Sequence, residues 1–267
     1  MARPKVLVLR SAGTNCDKET AFAFSQAGAA IELAHINQLK AKAGNGRERC
    51  LRNYQILALA GGFSYGDDIA AGKILANELK YALVDELKAF INQGKLIIGI
   101  CNGFQVLVKA GLLPGNEKLE QEVTLTINDS AKFEDRWVYL RTTPPLAGQA
   151  THESRITNCV WTKGLPETIY LPIAHGEGKF MAKDKEVLER LEENGQVVLR
   201  YRDNPNGSQN DIAALCDKTG RIFGLMPHPE RHSFGWQHPR WTREGLKKEG
   251  DGLRIFRNGV EYARKYL

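Results

Sequence analysis

In the run Gly99-Ile100-Cys101-Asn102-Gly103 a cysteine stands between two glycines, with an apolar stretch at 96–100 before it and an apolar stretch of helical spacing at 103–110 after it. A strand that enters a tight turn and leaves as a helix is the setting of a nucleophile elbow. A thiolate there gains from the positive end of the helix, and the free N–H groups of the first turn can receive an oxyanion. The flanking glycines permit the sharp bend and the close approach of a substrate. The chemistry this predicts is covalent catalysis through Cys101.

Such a cysteine needs a base. Of the six histidines, His228 in Pro227-His228-Pro229-Glu230 is best placed, because it directly follows the apolar run 222–225. Two prolines hold the segment extended, and alternation in an extended segment sends His228 and Glu230 to the same side. The Glu230 carboxylate would then fix the imidazole tautomer and stabilise the imidazolium, as the third member of a triad does. The run Gly61-Gly62-Phe63-Ser64-Tyr65-Gly66-Asp67-Asp68 follows a third apolar stretch, 56–60, at the edge where open α/β sheets bind ligands, and its backbone could supply an oxyanion hole. Ala174-His175-Gly176-Glu177-Gly178 is a further glycine-flanked turn, equally compatible with a structural and a binding role.

Other chemistries fit less well. Residues 66–74 superficially resemble a phosphate loop, but five residues separate Gly66 from Gly72 and Ile74 stands where Ser or Thr is required. No G-x-G-x-x-G occurs. His228, Glu230 and His232 fall within five residues, yet Pro229 keeps them off one helical face, so no metal is expected in the chain. The five cysteines form no C-x-x-C pair and do not suggest a disulfide framework. The net charge of +6 is spread along the chain without a basic block, and no nucleic-acid partner is expected. No apolar run reaches the roughly 20 residues of a membrane span, and the apolar stretch near the start is too short for a signal peptide. A cytoplasmic protein with no membrane partner is the expectation.

The elements that must position these residues alternate. Strands are expected at 6–9, 31–34, 56–60 and 96–100, with helices at 20–27, 83–91 and 103–110 between and after them. This is the pattern of βαβ units and a parallel sheet flanked by helices. From about 123 the pattern changes to strand-like runs at 123–127, 137–140, 155–161 and 169–174, which suggests an antiparallel extension. A helix at 185–193, strands at 197–201, 212–215 and 222–225 and a last helix at 253–266 complete the chain. Residues 40–52 read as an exposed insertion and 233–251 as an irregular surface segment. Length and the absence of repeats favour a single domain over 1–267.

Taken in order, Gly13-Thr14-Asn15-Cys16-Asp17, the 61–68 loop, Gly99 to Gln105, Gly111-Leu112-Leu113-Pro114-Gly115, the 174–178 turn, Asn204-Pro205-Asn206-Gly207-Ser208 and Met226 to Arg231 resemble the triad-type glutamine amidotransferases, and among them the glutaminase components of phosphoribosylformylglycinamidine synthases. The resemblance spans nearly the whole chain. It departs at Ala60, where proline is common, and in the length of 40–52. It implies an α/β fold of flavodoxin-like type, an open and mostly parallel sheet flanked by helices with the antiparallel extension. It also implies that Cys101 attacks the amide of glutamine, with His228 as acid and base and Glu230 orienting it. The backbone N–H groups of Gly62 and Asn102 would hold the oxyanion, and Gln105 would help hold the substrate. Ammonia would pass to a large synthetase subunit that carries ATP and magnesium, with a small accessory subunit possible; this chain would need no cofactor. On the same reading Trp236 and Trp241, in the 233–251 segment beside the histidine, are expected to dock the synthetase.

Overall fold

A computed structural model describes residues 2–40, 50–116, 118–143 and 159–267. The first half alternates as expected: β1 (Lys5–Arg10), α1 (Asp17–Gln26), β2 (Ala30–His35), α2 (Ile36–Lys40), β3 (Ile56–Leu59), α3 (Lys73–Ala82), α4 (Val84–Asn92), β4 (Leu96–Ile100) and α5 (Asn102–Lys109). There follow β5 (Val123–Thr126), β6 (Glu134–Thr142), β7 (Thr168–His175), β8 (Lys179–Ala182), α6 (Lys185–Glu193), β9 (Val197–Tyr201), β10 (Ile212–Cys216), β11 (Ile222–Leu225), α7 (Trp241–Glu244) and α8 (Leu253–Tyr266).

Among the described residues nine strands form one sheet in the order β2-β1-β3-β4-β11-β10-β9-β6-β7. The neighbours from β2 to β11 pair in parallel, and those from β11 to β7 pair antiparallel. The parallel sheet with its antiparallel extension is therefore as the sequence implied. A separate two-stranded sheet joins β5 to β8.

Chemistry of the chain explains these choices. Every residue of β3, β4 and β11 is buried, because helices cover both faces of the parallel part, and such strands read as continuous apolar runs. Each Leu or Ile so removed from water contributes about 1.5–3 kcal/mol. Helix α5 is likewise buried along its whole length. At the surface, α6 buries only Val187 and Leu191, and its start is fixed by Asp184, whose carboxylate accepts from Val187 N–H at 2.9 Å.

In register, Leu59 lies opposite Gly99 and Ile100 opposite Leu225. The carboxyl ends of β3, β4 and β11 thus lie side by side, and the three segments singled out for chemistry all leave from there.

Several expectations are corrected. Of the strand expected at 155–161, residues 155–158 lie outside the described residues and Val160–Thr162 forms a 3₁₀ turn. That turn buries Trp161 completely, edge-on to Phe24, stacked on Phe223 and with its indole N–H donating to Arg221 O at 3.0 Å. A buried aromatic anchor has the same apolar signature as a strand. Helices α2 and α3 and strand β8 lie where the sequence pattern gives no element. Residues 41–49 of the expected insertion lie outside the described residues, and Leu51, just after them, is fully buried. The 233–251 segment is not irregular throughout: it holds α7 and a 3₁₀ turn at Gly235–Gln237, with Ser233 and His238 buried.

Candidate active site

Cys101 sits between β4 and α5 with φ 52° and ψ −107°, a strained conformation for a residue with a side chain. Its N–H donates to Leu225 O at 2.8 Å, which ties the turn to the end of β11. The flanking glycines act differently from the expectation. A Cβ on Gly103 would stand 2.0 Å from Leu59 O, and one on Gly99 would stand 2.5 Å from Gly103 O. They let helix and strands pack closely, while the bend itself is carried by Cys101. The thiol is 5% exposed, and its Sγ lies 3.6 Å from Ala174 O.

His228 follows β11 by three residues and is anchored by its N–H, which donates to Pro172 O of β7 at 2.8 Å. The segment after it is not extended. Pro229–Arg231 forms a 3₁₀ turn, which suits proline at the first helical position, whose φ is already helical and whose missing N–H is not needed. This turn still brings Nδ1 of His228 to 2.5 Å from Oε1 of Glu230, with both side chains buried. Burial alone would lower the imidazole pKa. The Glu230 carboxylate, followed by the Cys101 sulfur, overrides it and holds His228 well above the ordinary histidine value. Among the described residues Nε2 of His228 makes no close hydrogen bond, and the Cys101 and Cys16 side chains are the polar groups beside the ring.

The 61–68 loop is clamped against the 13–17 loop that follows β1. Cys16 N–H donates to Gly61 O at 3.1 Å, Phe63 N–H to Gly13 O at 3.0 Å and Tyr65 N–H to Ala12 O at 2.7 Å. Gly62 has φ +134°, and a Cβ there would meet Asn15 N at 2.6 Å, so no other residue fits. A Cβ on Gly61 would stand 2.8 Å from Cε1 of His228, 3.2 Å from Sγ of Cys16 and 3.4 Å from Cβ of Cys101. The backbone that follows β3 thus packs against the His228 imidazole, the Cys16 sulfur and Cβ of Cys101.

The other wall is a polar network. The Asn102 amide donates to Asp67 Oδ1 and to Gln105 Oε1, both at 3.0 Å, and its own oxygen accepts from Ser64 N–H at 3.2 Å. Gln105 in turn donates to Glu177 O at 2.6 Å. Both ends of the Gln105 amide are thereby engaged, so it fixes the 174–178 turn against α5. Lys109 closes the network by donating to Ala71 O at 2.5 Å, with Glu177 Oε2 3.8 Å away. Burial lowers the Lys109 pKa, an effect that Glu177 and Asp67 oppose.

The structure thus brings together Cys101, His228, Glu230, Gly62, Asn102 and Gln105. It places the 174–178 turn at the site as well, through Ala174 O and Glu177 O. His175 turns away to Asn128 Oδ1 at 3.2 Å, and burial followed by the His228 charge lowers its pKa to about 4. His232 also turns away, its Nδ1 donating to Tyr170 O at 2.7 Å. Sequence reasoning missed the roles of Asp67, Lys109 and Cys16. The glycine and asparagine around Cys16 marked its loop, but no local signal shows that the loop packs on His228.

A parallel sheet with a buried cysteine at a strand-to-helix turn, a buried His-Glu pair at the end of the neighbouring strand and a glycine loop beside both is the arrangement of an α/β protein with a cysteine-histidine-carboxylate triad. The sequence pattern of the CobB/CobQ-like glutamine amidotransferase domain matches residues 3–263. Phosphoribosylformylglycinamidine synthase subunit PurQ of Dehalococcoides mccartyi is 48% identical over 272 residues, covering 99% of this chain and all of that one. PurQ of Methanococcus maripaludis is 43% identical, with 98% of each chain covered. Among solved structures, a chain of PurLQS from Thermotoga maritima superposes with a TM-score of 0.72 at 30% identity, covering 98% of this chain and 99% of that chain. The chain belongs to the CobB/CobQ-like glutamine amidotransferase family and, within it, to the PurQ subunits of phosphoribosylformylglycinamidine synthase.

Proposed function

We propose that this chain hydrolyses glutamine and supplies the ammonia to a synthetase subunit that makes formylglycinamidine ribonucleotide in purine biosynthesis. The Cys101 thiolate attacks the side-chain amide carbon, and the backbone N–H groups of Gly62 and Asn102 hold the resulting oxyanion. The tetrahedral adduct collapses as the His228 imidazolium gives its proton to the departing nitrogen. Ammonia leaves, and a γ-glutamyl thioester remains on Cys101. Neutral His228 then takes a proton from water, which attacks the thioester to release glutamate and regenerate the thiol. Glu230 keeps the Nδ1 proton in place through both steps.

The observation that carries this reading is the convergence of Cys101, the His228-Glu230 pair and the Gly61-Gly62 backbone at the ends of three adjacent strands. Gln105 supports substrate binding by holding the 174–178 turn, which forms one wall of the site. Residues 1–267 act as one amidotransferase domain, a reading supported by the continuous sheet. The ATP and magnesium of the synthesis belong to the synthetase partner, the counterpart of PurL in PurLQS, with a PurS-like accessory subunit in the same assembly. The work is cytoplasmic, in keeping with the finding that no helix among the described residues is long and apolar enough to cross a membrane.

Acid quenching of the complex during turnover, followed by peptide mass spectrometry, tests the proposal. A single γ-glutamyl group is expected on the peptide that contains Cys101. Its appearance on another cysteine contradicts the assignment.

A further inference from the structure

Cys101 and His228 are 5% and 1% exposed, yet a reacting carbon must reach the sulfur. Two segments wall it in. The 61–68 loop brings the Gly61 backbone against Cβ of Cys101, and the 174–178 turn sets Ala174 O 3.6 Å from its Sγ. Phe63, half-exposed, directly follows Gly62 in the first wall. Phe133, also half-exposed, belongs to the loop between β5 and β6, which Asn128 ties to the second wall. The Asn128 backbone N–H donates to Gly176 O at 3.0 Å, its amide donates to His175 O at 2.8 Å and to Lys132 O at 2.9 Å, and its side-chain oxygen accepts from Gly178 N–H at 3.0 Å. Cδ2 of Phe133 lies 4.0 Å from where a Cβ on Gly176 would stand. The two rings meet from opposite walls, stacked with centroids 6.3 Å apart and planes at 29°. We propose that Phe63 and Phe133 form a two-ring gate that sets the access of a carboxamide-bearing ligand to Cys101.

The rings, not the walls, are what can move. Asn102 and Gln105 of α5 fix both walls: Ser64 N–H donates to Asn102 Oδ1 at 3.2 Å, and the Gln105 amide donates to Glu177 O at 2.6 Å. The backbone of Phe63 is held on both sides, its N–H by Gly13 O and its carbonyl by Gly66 N–H at 2.8 Å. A phenyl ring carries no polar group to anchor it, and a side chain that is half in water changes rotamer within nanoseconds. What keeps the two together is the stacked contact, a modest attraction that a minor population escapes. Opening is therefore a swing of side chains, fast beside any covalent reaction of the sulfur, and the rate at which a reagent captures Cys101 is proportional to the open fraction.

That glutamine is the ligand rests on the proposed function; the gating of Cys101 does not. Iodoacetamide is the probe, because it carries a primary carboxamide and needs no turnover: the Cys101 thiolate displaces iodide and is left as a stable thioether.

The reduced full chain is alkylated, and the rate is read on the Cys101 peptide by mass spectrometry. Phe133→Ala and Phe63→Ala are each expected to speed alkylation about 2–10-fold, the shift that loss of one aromatic pair produces. Phe133→Tyr, which keeps the ring, is expected to match wild type. The double variant should gain less than the product of the two single gains, because each alone already removes the shared contact. The peptide of Cys216, buried in β10, should stay unlabelled throughout. A wild-type rate in Phe133→Ala overturns the proposal, and so does a double variant whose gains multiply. Labelling of Cys216 in step with Cys101 overturns it as well, since the fold would then have loosened. The proposed function fails separately, if Cys101→Ala still releases glutamate while these rates hold.

Discussion

Nδ1 of His228 and Oε1 of Glu230 lie 2.5 Å apart with side chains 2% and 0% exposed, so the imidazole is held by a dry carboxylate on one edge, with the Cys101 and Cys16 side chains also beside the ring. His228→Ala should lower kcat for glutamate release by about 10⁶-fold, and Glu230→Gln by up to about 10⁴-fold, as for the base and the orienting member of other triads. Steady-state kinetics of both variants in the complex checks the order. A smaller loss in His228→Ala than in Glu230→Gln assigns the base to another residue.

The same pair fixes a pH dependence. Glu230 and the Cys101 sulfur raise the His228 pKa in the folded chain well above the unfolded value of about 6.5, against the opposing effect of burial. The stabilisation is therefore complete below about pH 6.5 and is lost as pH rises through the folded-state value. Denaturant unfolding of wild type and Glu230→Gln should show the largest difference in midpoint between about pH 5 and 6.5, shrinking at higher pH. A difference that grows with pH contradicts the charge assignment.

At Gly62 the backbone φ of +134° and the 2.6 Å approach of a Cβ to Asn15 N leave no room for alanine. Gly62→Ala should move the loop off the site and cost about 10²–10³ in kcat, the loss of an oxyanion donor, with far-ultraviolet circular dichroism unchanged. Activity within twofold of wild type would place the oxyanion elsewhere.

Much of this site is legible in the sequence because its parts are local. The all-apolar run of β4, the cysteine and the helical run of α5 are contiguous, and so are β11, His228 and Glu230. Where the reading erred, local pattern and tertiary packing diverge. The turn at Val160–Thr162 looks like a strand because Trp161 is a core anchor. Helix α3 is masked by the glycine-rich segment before it and by its direct junction with α4, although Leu75 and Leu79 repeat at helical spacing. Strand β8 has four residues and, among the described residues, pairs only with β5, too short for its alternation to register. The placement of Cys16 against His228 comes from opposite ends of the chain and leaves no trace in either segment.

Trp236 is 58% exposed and stacks on Phe234 at 5.1 Å, which lies 5.9 Å from the half-exposed Phe22; Trp241 is 40% exposed. This aromatic surface directly follows the His-Glu turn. Replacing Trp236 and Trp241 by Ala should weaken association with the synthetase subunit by about 10-fold or more, since aromatic anchors cost at least 1 kcal/mol when truncated. Isothermal calorimetry measures it, and an unchanged affinity makes the segment a solvated surface.

A nucleophile at Cys101 and a synthetic site on another subunit make separable demands on one variant. In the reconstituted complex, Cys101→Ala is expected to release no glutamate from glutamine and to make no formylglycinamidine ribonucleotide from it, while free ammonium supports synthesis at the wild-type rate. Glutamine-dependent synthesis that persists in this variant contradicts the account.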